Sequence, residues 1–394
     1  MQSQSLQLAR QCDIAVVSPV PYCPPFLERT EYARFRKIET MREEHEVRVF
    51  YPRFLLPPGY RLHSLEATVY YAGIRGLCDR LWSDLRPHLI HAHFSYPDGV
   101  AAVMLGRRYG IPVVVTEHAF WRPWLEHYPL VRSQTLWAAR KTNVQIAVSP
   151  SLRDVMASFT GRPERIRVIP NGVDPRIYTS AEGSRFKREQ ILFVGFINFV
   201  KGVDVLLRAF RELSRSQPHL RLIMIGGGHY RDTRLHSEDL RRQASAMGIG
   251  DKIEFLGTKM PHEVARYMRE STMLVLPSRR ETFGSVLIEA MACGTPVVAT
   301  RCGGPESIVT DEVGLLVNPD DPSALLEGIE LMIRNRDSYQ PETMRQYALR
   351  NFSLERVARE TMDAYREAIV EPDLWRSARS QSDQRHMPPA TAAR

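Results

Sequence analysis

Two glutamates, Glu281 and Glu289, flank the start of a predicted helix in the C-terminal half of the sequence. An apolar stretch with the pattern of a strand ends at Pro277, and the next helix begins at Gly284 and is stopped by Gly294. The first backbone N–H groups of a helix have no partner within it, so they form a ready anion site. Because a helix rises about 1.5 Å per residue, Glu289 lies about 7–8 Å along the axis. A diphosphate at the helix start would have a carboxylate on each side, and carboxylates accept hydrogen bonds from sugar hydroxyls.

The same pair of glutamates has a simpler interpretation. An acid near a helix N-terminus is favoured by the helix dipole, and the second glutamate would then be an ordinary solvated side chain. The surrounding elements favour the ligand site, because ligands of open α/β sheets bind where the parallel strands end.

Short apolar stretches alternate with helix-length amphipathic segments along most of the sequence. The first series runs from a strand at 14–17 to a strand at 166–169, with a charged helix expected near 28–44. The second series runs from a strand at 191–194 to a helix at 354–370. This βαβ pattern predicts an α/β protein with two doubly wound parallel sheets in tandem and a ligand cleft at their carboxyl ends.

Changes in composition along the chain predict its organisation. The stretch 170–188 is rich in Pro, Gly, Ser and charge and separates the two series, and the end of the chain is rich in Ser, Arg, Gln and Pro. The predicted segments are a flexible N-terminus at 1–12, an N-terminal domain at 13–175, a linker at 176–188, a C-terminal domain at 189–352, a C-terminal helix at 353–370 that could pack back on the N-terminal domain, and a disordered tail at 371–394.

The charge of the chain is positive and unevenly distributed. The formal net charge is +8, and residues 1–184 contain 23 Lys and Arg against 17 Asp and Glu. A basic first half suits an anionic membrane lipid or an acidic glycan, although a solvated basic surface without a partner explains it as well. We expect no nucleic-acid partner, because neither zinc-finger spacing nor an RNA-binding signature occurs.

Cysteine usage and hydropathy point to the cytoplasm. The five cysteines are scattered and none forms a C-x-x-C motif, which predicts reduced thiols rather than a disulfide framework. The longest apolar run, 191–200, is shorter than the roughly 18–20 residues that a membrane-spanning helix needs, and the first twelve residues lack an apolar signal core. We therefore predict a cytoplasmic protein, with the inner face of the cell membrane as an alternative location.

The segment 277–296 resembles the E-x7-E signature of the retaining glycosyltransferases of family 4. Their architecture is GT-B, two Rossmann-like doubly wound domains that face each other across a cleft, and the likeness covers roughly residues 13–370. The opening is similar to the branch that builds bacterial exopolysaccharides and cell-wall polymers, through 18–21, 32–36 and 51–53. Further matching pieces lie at 90–94, 115–118, 148–151, 169–174, 201–204 and 303–306.

The resemblance implies three catalytic residues. Glu281 would hold hydroxyls of the donor sugar, Lys201 would neutralise the leaving diphosphate, and His118 would contact the donor sugar from the N-terminal domain. The other donor-binding residues that it implies are Glu289 for the ribose, the backbone amides of Phe283, Gly284, Ser285 and Val286 for the diphosphate and sugar, and Gly257.

One position departs from the pattern of the family. The arginine that often follows the glycine before the lysine is missing, because Gly195 is followed by Phe196. We hypothesise that Arg279 or Arg280, beside the first glutamate, supplies the charge instead. The departure also leaves open a weakened enzyme or an inactive subunit that binds a partner.

The acceptor side is less well marked. His93, Asn171, Trp121 and Trp124 are candidates, the two tryptophans through stacking on a sugar or insertion into a lipid surface, although packing under a loop explains them equally well. His91 and His93 have the spacing of metal ligands, but no third ligand is evident. The resemblance implies catalysis without a metal, and we predict no cofactor.

These observations predict a retaining glycosyltransferase. It would move a sugar from a UDP- or GDP-sugar to a glycan or lipid-linked glycan, in exopolysaccharide or cell-envelope polysaccharide biosynthesis. The alternatives are a sugar-nucleotide epimerase of the same architecture and an inactive GT-B partner subunit.

Overall fold

The computed structural model describes residues 2–24, 31–44, 47–55, 63–180, 189–227 and 237–370. The predicted tail at 371–394, most of the predicted linker (181–188) and the first part of the predicted charged helix (28–30) lie outside the described residues. The chain divides into two compact units. Unit 1 comprises residues 1–148, 153–169 and 358–394, and unit 2 comprises 149–152 and 170–357.

Unit 1 is built around a four-stranded parallel sheet with the order β6-β7-β8-β9. The strand β1 pairs parallel with β4 and β3 pairs antiparallel with β4, while β2 pairs with β5. The strands are β1 Ala15–Val17, β2 Val20–Pro21, β3 Met41–Glu44, β4 Val47–Phe50, β5 Arg53–Phe54, β6 Ile90–His93, β7 Val113–Glu117, β8 Val144–Ala147 and β9 Ile166–Val168. The helices are α1 Gln2–Leu8, α2 His63–Leu85, α3 Val100–Tyr109, α4 Trp121–His127, α5 Pro129–Lys141 and α6 Pro150–Thr160.

Two neighbouring strands of this sheet, β7 and β8, are buried along their whole length. Their apolar residues occur as continuous runs, which is typical of parallel strands covered by helices on both faces. The strand β7 ends in Thr116 and Glu117, so its polar residues lie at the carboxyl edge.

Three parts of unit 1 differ from the prediction. Residues 31–44, expected to continue a charged helix, form a 3-10 helix, Glu31–Lys37, and then β3. The charged residues of β3 adopt a strand because β4 offers an antiparallel partner, and pairing outweighs helix propensity. The helix α2 was not predicted, since its sequence mixes β-branched and aromatic residues. At the N-terminus, α1 forms where a flexible stretch is predicted, and Leu8 at its end is buried.

Unit 2 contains a six-stranded parallel sheet with the order β12-β11-β10-β13-β14-β15. Its strands are β10 Gln190–Val194, β11 Arg221–Ile225, β12 Ile253–Gly257, β13 Met273–Leu276, β14 Val297–Thr300 and β15 Gly314–Val317. Its helices are α7 Val203–Ser216, α8 Ser237–Ala246, α9 Pro261–Glu270, α10 Ser285–Ala292, α11 Pro322–Arg334 and α12 Pro341–Phe352. A last helix, α13 Leu354–Val370, begins in unit 2, and its residues from Ala358 belong to unit 1.

The strand order of unit 2 reverses between β10 and β13. The chain moves outward from β10 through β11 to β12, and then returns to place β13 on the other side of β10. The loops after β10 and β13 therefore lie beside each other at the carboxyl edge, where the strand order reverses and where ligands of doubly wound sheets bind. These two loops contain Lys201 and Glu281.

Candidate functional site

Lys201 is the last residue of a 3-10 helix, Phe199–Lys201, in the loop after β10. The turn is fixed at its start by Asn198, whose side-chain oxygen accepts a hydrogen bond from the Lys201 N–H at 2.9 Å. It is fixed at its end by Gly202, which has a φ of 64°. A Cβ at Gly202 would lie 2.0 Å from the carbonyl oxygen of Pro277, so only glycine allows the turn to lie against the end of β13.

This close approach brings two of the predicted catalytic residues together. The ammonium group of Lys201 forms an ion pair with Glu281 Oε2, and Ser278 Oγ lies 3.4 Å from the same oxygen. Both charged side chains are largely buried, with 21% of Lys201 and 12% of Glu281 exposed. The pair is 80 positions apart in the sequence and is assembled by the adjacency of β10 and β13.

The helix α10 begins immediately after this pair. Its first residue, Ser285, follows Gly284, which has a φ of 103° and provides no side-chain cap. The first amides of the helix have no carbonyl partner within it, so their N–H groups suit an anion. Phe283 is buried, with its ring 5.9 Å from that of Phe352, and Val286 lies in the first turn.

Asn171, which the sequence predicts for the acceptor side, contacts the first residue of α10. Its side-chain amide donates to Ser285 Oγ at 3.3 Å, so it lies at the start of α10 within unit 2. The continuous part of unit 2 runs from Pro170 to Val357, and the predicted domain boundary at 175 lies five residues after its start.

The loop after β14 supports the Glu281 loop from below. Gly304 N–H donates to the Glu281 carbonyl at 2.8 Å, and a Cβ at Gly304 would lie 2.4 Å from the backbone nitrogen of Phe283.

We expect Gly304→Ala to displace the 281–284 loop, to cost about 1–3 kcal/mol of stability and to lower activity. Denaturant unfolding and turnover check this prediction. The matched control is Gly76→Ala in α2, where nothing lies within 4 Å of the new Cβ. This control should add about 0.5–1 kcal/mol to the free energy of unfolding. Equal effects of the two substitutions on stability would contradict the prediction.

Glu289 is the fifth residue of α10 and lies in its second turn. Its carboxylate is hydrogen-bonded with the hydroxyl of Tyr178. Burial raises the pKa of the Glu289 carboxyl to about 7, against a smaller lowering by that hydrogen bond. The carboxyl group is therefore poised between its acid and its carboxylate near neutral pH.

Arg279 has partners that the sequence did not indicate. Its guanidinium is bound to Asp204 and to Asp320, so two carboxylates already match its charge. This placement argues against the hypothesis that Arg279 replaces the charge missing at Phe196. Arg280, the other candidate, is exposed, and 53% of Phe196 is exposed after Gly195.

Gly257, the remaining predicted donor residue, is the last residue of β12. It has a φ of 67°, and its carbonyl oxygen accepts the Gly226 N–H at 2.9 Å. A Cβ there would meet nothing within 4 Å, so the position borders open space at the carboxyl edge of the sheet.

The histidines of unit 1 form a cluster at the carboxyl edge of β6 and β7. His93 Nδ1 lies 3.0 Å from His118 Nε2, and His91 contacts the hydroxyls of Tyr365 at 2.7 Å and Thr116 at 2.8 Å. The rings of His91 and His93 have centroids 4.5 Å apart. Among the described residues, no group of three or more His, Cys, Asp or Glu could hold a metal ion.

Burial makes these histidines poor bases. It lowers the pKa of His93 to about 4 and, with the nearby charge of His93, that of His118 to about 3. The pKa of His91 is also lowered, again mainly by burial. At pH 7 the cluster is therefore neutral, so its ring nitrogens interact with their neighbours through hydrogen bonds and not as charged groups.

This shift predicts that acid destabilises unit 1 through the cluster. The pKa of His93 is about 4 in the folded protein and 6.5 in the unfolded chain. The unfolded state therefore binds the proton first, so the free energy of unfolding is highest above pH 6.5 and falls as the pH decreases toward about 4. Stability should fall by about 1.4 kcal/mol per pH unit for each such histidine. Urea unfolding between pH 7 and pH 4.5 measures the slope, which should be smaller in His118→Gln. The matched control is His88→Gln, at an exposed histidine, which should keep the slope of wild type. An equal slope in His118→Gln and wild type would contradict the prediction.

Glu117, a residue that the prediction missed, organises the loops beside this cluster. One carboxylate oxygen accepts the N–H groups of His118 at 2.9 Å and Ala119 at 2.8 Å. The other accepts the N–H of Ser95 at 2.9 Å and the indole N–H of Trp121 at 2.7 Å. The signal in the sequence was an acid at the end of an otherwise apolar strand.

Trp121 is thereby assigned a packing role. Its side chain is 3% exposed, and the hydrogen bond to Glu117 holds it in the interior of unit 1, so it presents no face for an acceptor sugar or lipid. The side chain of Trp124 lies outside the described residues. No described helix has both the length and the hydropathy needed to cross a membrane.

Two family models match consecutive parts of the chain. The model for Glycosyltransferase Family 4 matches residues 7–177, and that for glycosyl transferases group 1 matches residues 177–350. The junction at 177 lies close to the boundary between the two units at 169 and 170.

Curated relatives share about a third of the aligned residues. A D-inositol 3-phosphate glycosyltransferase of Acidothermus cellulolyticus is 30% identical over 265 residues, which cover 61% of this chain and 58% of that protein. An uncharacterized glycosyltransferase of Methanocaldococcus jannaschii is 32% identical over 250 residues, covering 63% of this chain and 66% of that protein. The alignments thus span about three fifths of the length of these relatives.

Solved structures of low sequence identity share the fold. Sucrose-phosphate synthase from Thermosynechococcus elongatus superposes with a TM-score of 0.76 at 20% identity, covering 93% of this chain and 91% of that one. HepE of Anabaena, solved with UDP, has a TM-score of 0.71 at 19% identity, covering 92% and 94%. The chain thus consists of a region that matches the Glycosyltransferase Family 4 model followed by one that matches the glycosyl transferases group 1 model, and its fold is GT-B.

Proposed function

We propose that this chain transfers a sugar from a nucleoside diphosphate sugar to a hydroxyl of a glycan or lipid-linked glycan, with retention of the anomeric configuration. The observation that carries the proposal is the Lys201–Glu281 pair beside the uncapped start of α10. A cation, a carboxylate and free helix amides at one sheet edge match a diphosphate that is joined to a sugar.

The diphosphate would lie at the amides of the first turn of α10. Lys201 would then face the phosphate oxygen that gains negative charge as the bond to the sugar breaks. Because this charge develops in the transition state, its stabilisation by the ammonium group lowers the barrier. Glu281, close to both groups, would accept hydrogen bonds from sugar hydroxyls.

The chemical step follows from this placement. The bond between the anomeric carbon and the β-phosphate oxygen breaks, and the electron pair remains on the phosphate. The acceptor oxygen forms the new bond on the same face, and its proton passes to the leaving phosphate oxygen. The protein's part is positioning and charge stabilisation, and its products are the glycoside and the nucleoside diphosphate.

Glu289 would accept hydrogen bonds from the ribose hydroxyls, through its carboxylate form. In unit 1, the neutral His118 suits a hydrogen bond with a sugar hydroxyl, because burial has removed its charge at pH 7. We also propose that Arg280 and the backbone amides of Phe283 to Val286 contact the diphosphate.

The choice of the first donor to test comes from a structural neighbour. HepE of Anabaena was solved with UDP and with UDP-glucose. We propose a UDP-sugar as the donor, with GDP-sugars as the comparison, and a role in exopolysaccharide or cell-envelope polysaccharide synthesis at the inner membrane face. Salt-sensitive binding to anionic vesicles is the expected sign of that location.

A thermal-shift screen with UDP- and GDP-sugars tests the proposal directly. A donor present at 100 times its Kd should add about 2.7 kcal/mol to the free energy of unfolding. The donor that binds is then incubated with and without saccharide acceptors, and release of the nucleoside diphosphate should depend on the acceptor. An epimer formed from donor alone would favour the epimerase alternative. If no donor binds and no nucleoside diphosphate is released across the panel, the remaining alternative is that the chain is an inactive partner subunit.

A further inference from the structure

A cluster of side chains ties the Lys201 turn to the segment that follows β13. It consists of Arg279, Asp204, Asp320 and the ring and carbonyl of Phe199, and we call it the brace. Asp204 lies in the first turn of α7, three residues after Lys201, and Arg279 lies two residues before Glu281. The brace therefore joins the two loops that carry the ion pair of the site.

The contacts of Arg279 use every nitrogen of its guanidinium. It forms a two-pronged pair with Asp204, at 2.8 Å and 2.9 Å, and contacts Asp320 Oδ1 at 2.6 Å. It also donates to the Phe199 carbonyl at 2.7 Å, and its central carbon lies 3.8 Å from the centre of the Phe199 ring. The fork of an arginine can make such a set of contacts at once, whereas a lysine cannot.

The backbone reinforces the same connection. The N–H of Arg279 donates to the Val200 carbonyl at 2.8 Å, so the turn is held through both main chain and side chain. The paired side chains are 13% and 14% exposed, so their attraction is weakly screened by water. Burial acts to raise the pKa of Asp204, but the hydrogen bond and charge of Arg279 together outweigh it. The pKa is therefore lowered, and Asp204 is held as a carboxylate.

We infer that the brace positions Lys201 against Glu281 and the diphosphate, so that Arg279 acts on the reaction through Lys201 and not by touching the donor. The inference rests on the proposed function. It also accounts for the charge balance of the cluster, because the two carboxylates neutralise Arg279 and the positive charge that this turn directs at the site is that of Lys201.

A purely structural role is the competing explanation. Asp204 is an acid in the first turn of α7, where it interacts favourably with the helix dipole, and it also pairs with the exposed Arg208 at 3.0 Å. If Asp204 only stabilised α7, losing Arg279 would reduce stability without changing how the site distinguishes a diphosphate from an uncharged ligand.

The test compares the affinities of UDP and uridine in Arg279→Gln, Asp204→Asn and wild type, with GDP and guanosine in parallel. Only the diphosphate reaches Lys201, so the Kd of UDP should rise about tenfold while that of uridine stays unchanged. The kcat should fall about 10–100-fold, because small displacements of a charged group are costly to catalysis. Arg279→Lys should recover part of the loss.

The matched control is Arg208→Gln, which removes the exposed partner of the same aspartate and should leave both affinities unchanged. Phe199→Leu is a milder variant that keeps the ion pair, and it should raise only the Kd of UDP. Unchanged UDP affinity in both Arg279→Gln and Asp204→Asn, or parallel losses for UDP and uridine, would overturn the brace. Failure of wild type to bind any nucleotide would instead refute the proposed function on which the brace depends.

Discussion

Lys201→Ala is expected to lower kcat by about 10²–10³-fold, the usual cost of removing one group that stabilises charge in a transition state. The loss of stability should be the lesser effect: the largely buried Glu281 loses its partner, but the turn stays fixed by Asn198, Gly202 and Arg279. Removing the cation leaves Glu281 without its partner, and that carboxylate would then repel the diphosphate. Steady-state turnover and urea unfolding of the same preparations measure the two effects separately.

Lys252→Ala is the matched control for this substitution. Lys252 precedes β12 at the amino edge of the same sheet, and its ammonium group donates to the Ser214 carbonyl at 3.2 Å. It should keep the turnover of wild type. A folded Lys201→Ala protein with undiminished kcat would remove Lys201 from the catalytic machinery.

Glu289→Gln is expected to weaken nucleotide binding and, at the same time, to stabilise the protein above neutral pH. A raised folded-state pKa means that the carboxyl contributes most stability below its unfolded value, here 4.5, and loses that contribution as the pH rises through about 7. At pH 8 the buried carboxylate thus costs about 3 kcal/mol relative to a neutral group of the same shape. Glutamine avoids this cost but is a weaker acceptor for ribose hydroxyls.

The measurement is urea unfolding of wild type and Glu289→Gln at pH 4.5 and pH 8, with nucleotide affinity at pH 8. The stability difference should be small at the lower pH and should favour the variant at the higher pH. The Kd for UDP should rise about tenfold in the variant. The control is Glu342→Gln, an exposed glutamate of α12 in the same unit. Equal stabilities at pH 8, or a destabilised variant, would show that the carboxylate is not held at a cost.

Much of the site could be predicted because its parts are local in sequence. The strand that ends at Leu276, the loop with Glu281 and the helix that starts after Gly284 lie within about twenty residues. Periodicity, glycine stops and the helix geometry were enough to place Glu281 and Glu289 on either side of a helix start.

Other features depend on contacts between distant segments. The sequence offered no sign that Arg279 pairs with Asp204, 75 positions away, or that Glu117 accepts the N–H of Ser95, 22 positions away. Nor did it indicate that Asn171 reaches Ser285. Propensity also failed for β3, whose charged residues form a strand only because β4 lies beside them.

By itself, the amino-acid sequence determined the type and order of most elements and the tandem α/β organisation, and it predicted which residues would bind a sugar diphosphate. Hydrophobic period, glycine and proline positions and helix termini are local properties, so they can be recognised without a fold. Only the tertiary structure decided which charges meet, because partner choice depends on strand order. The placement of β13 beside β10 pairs Lys201 with Glu281 and commits Arg279 to Asp204.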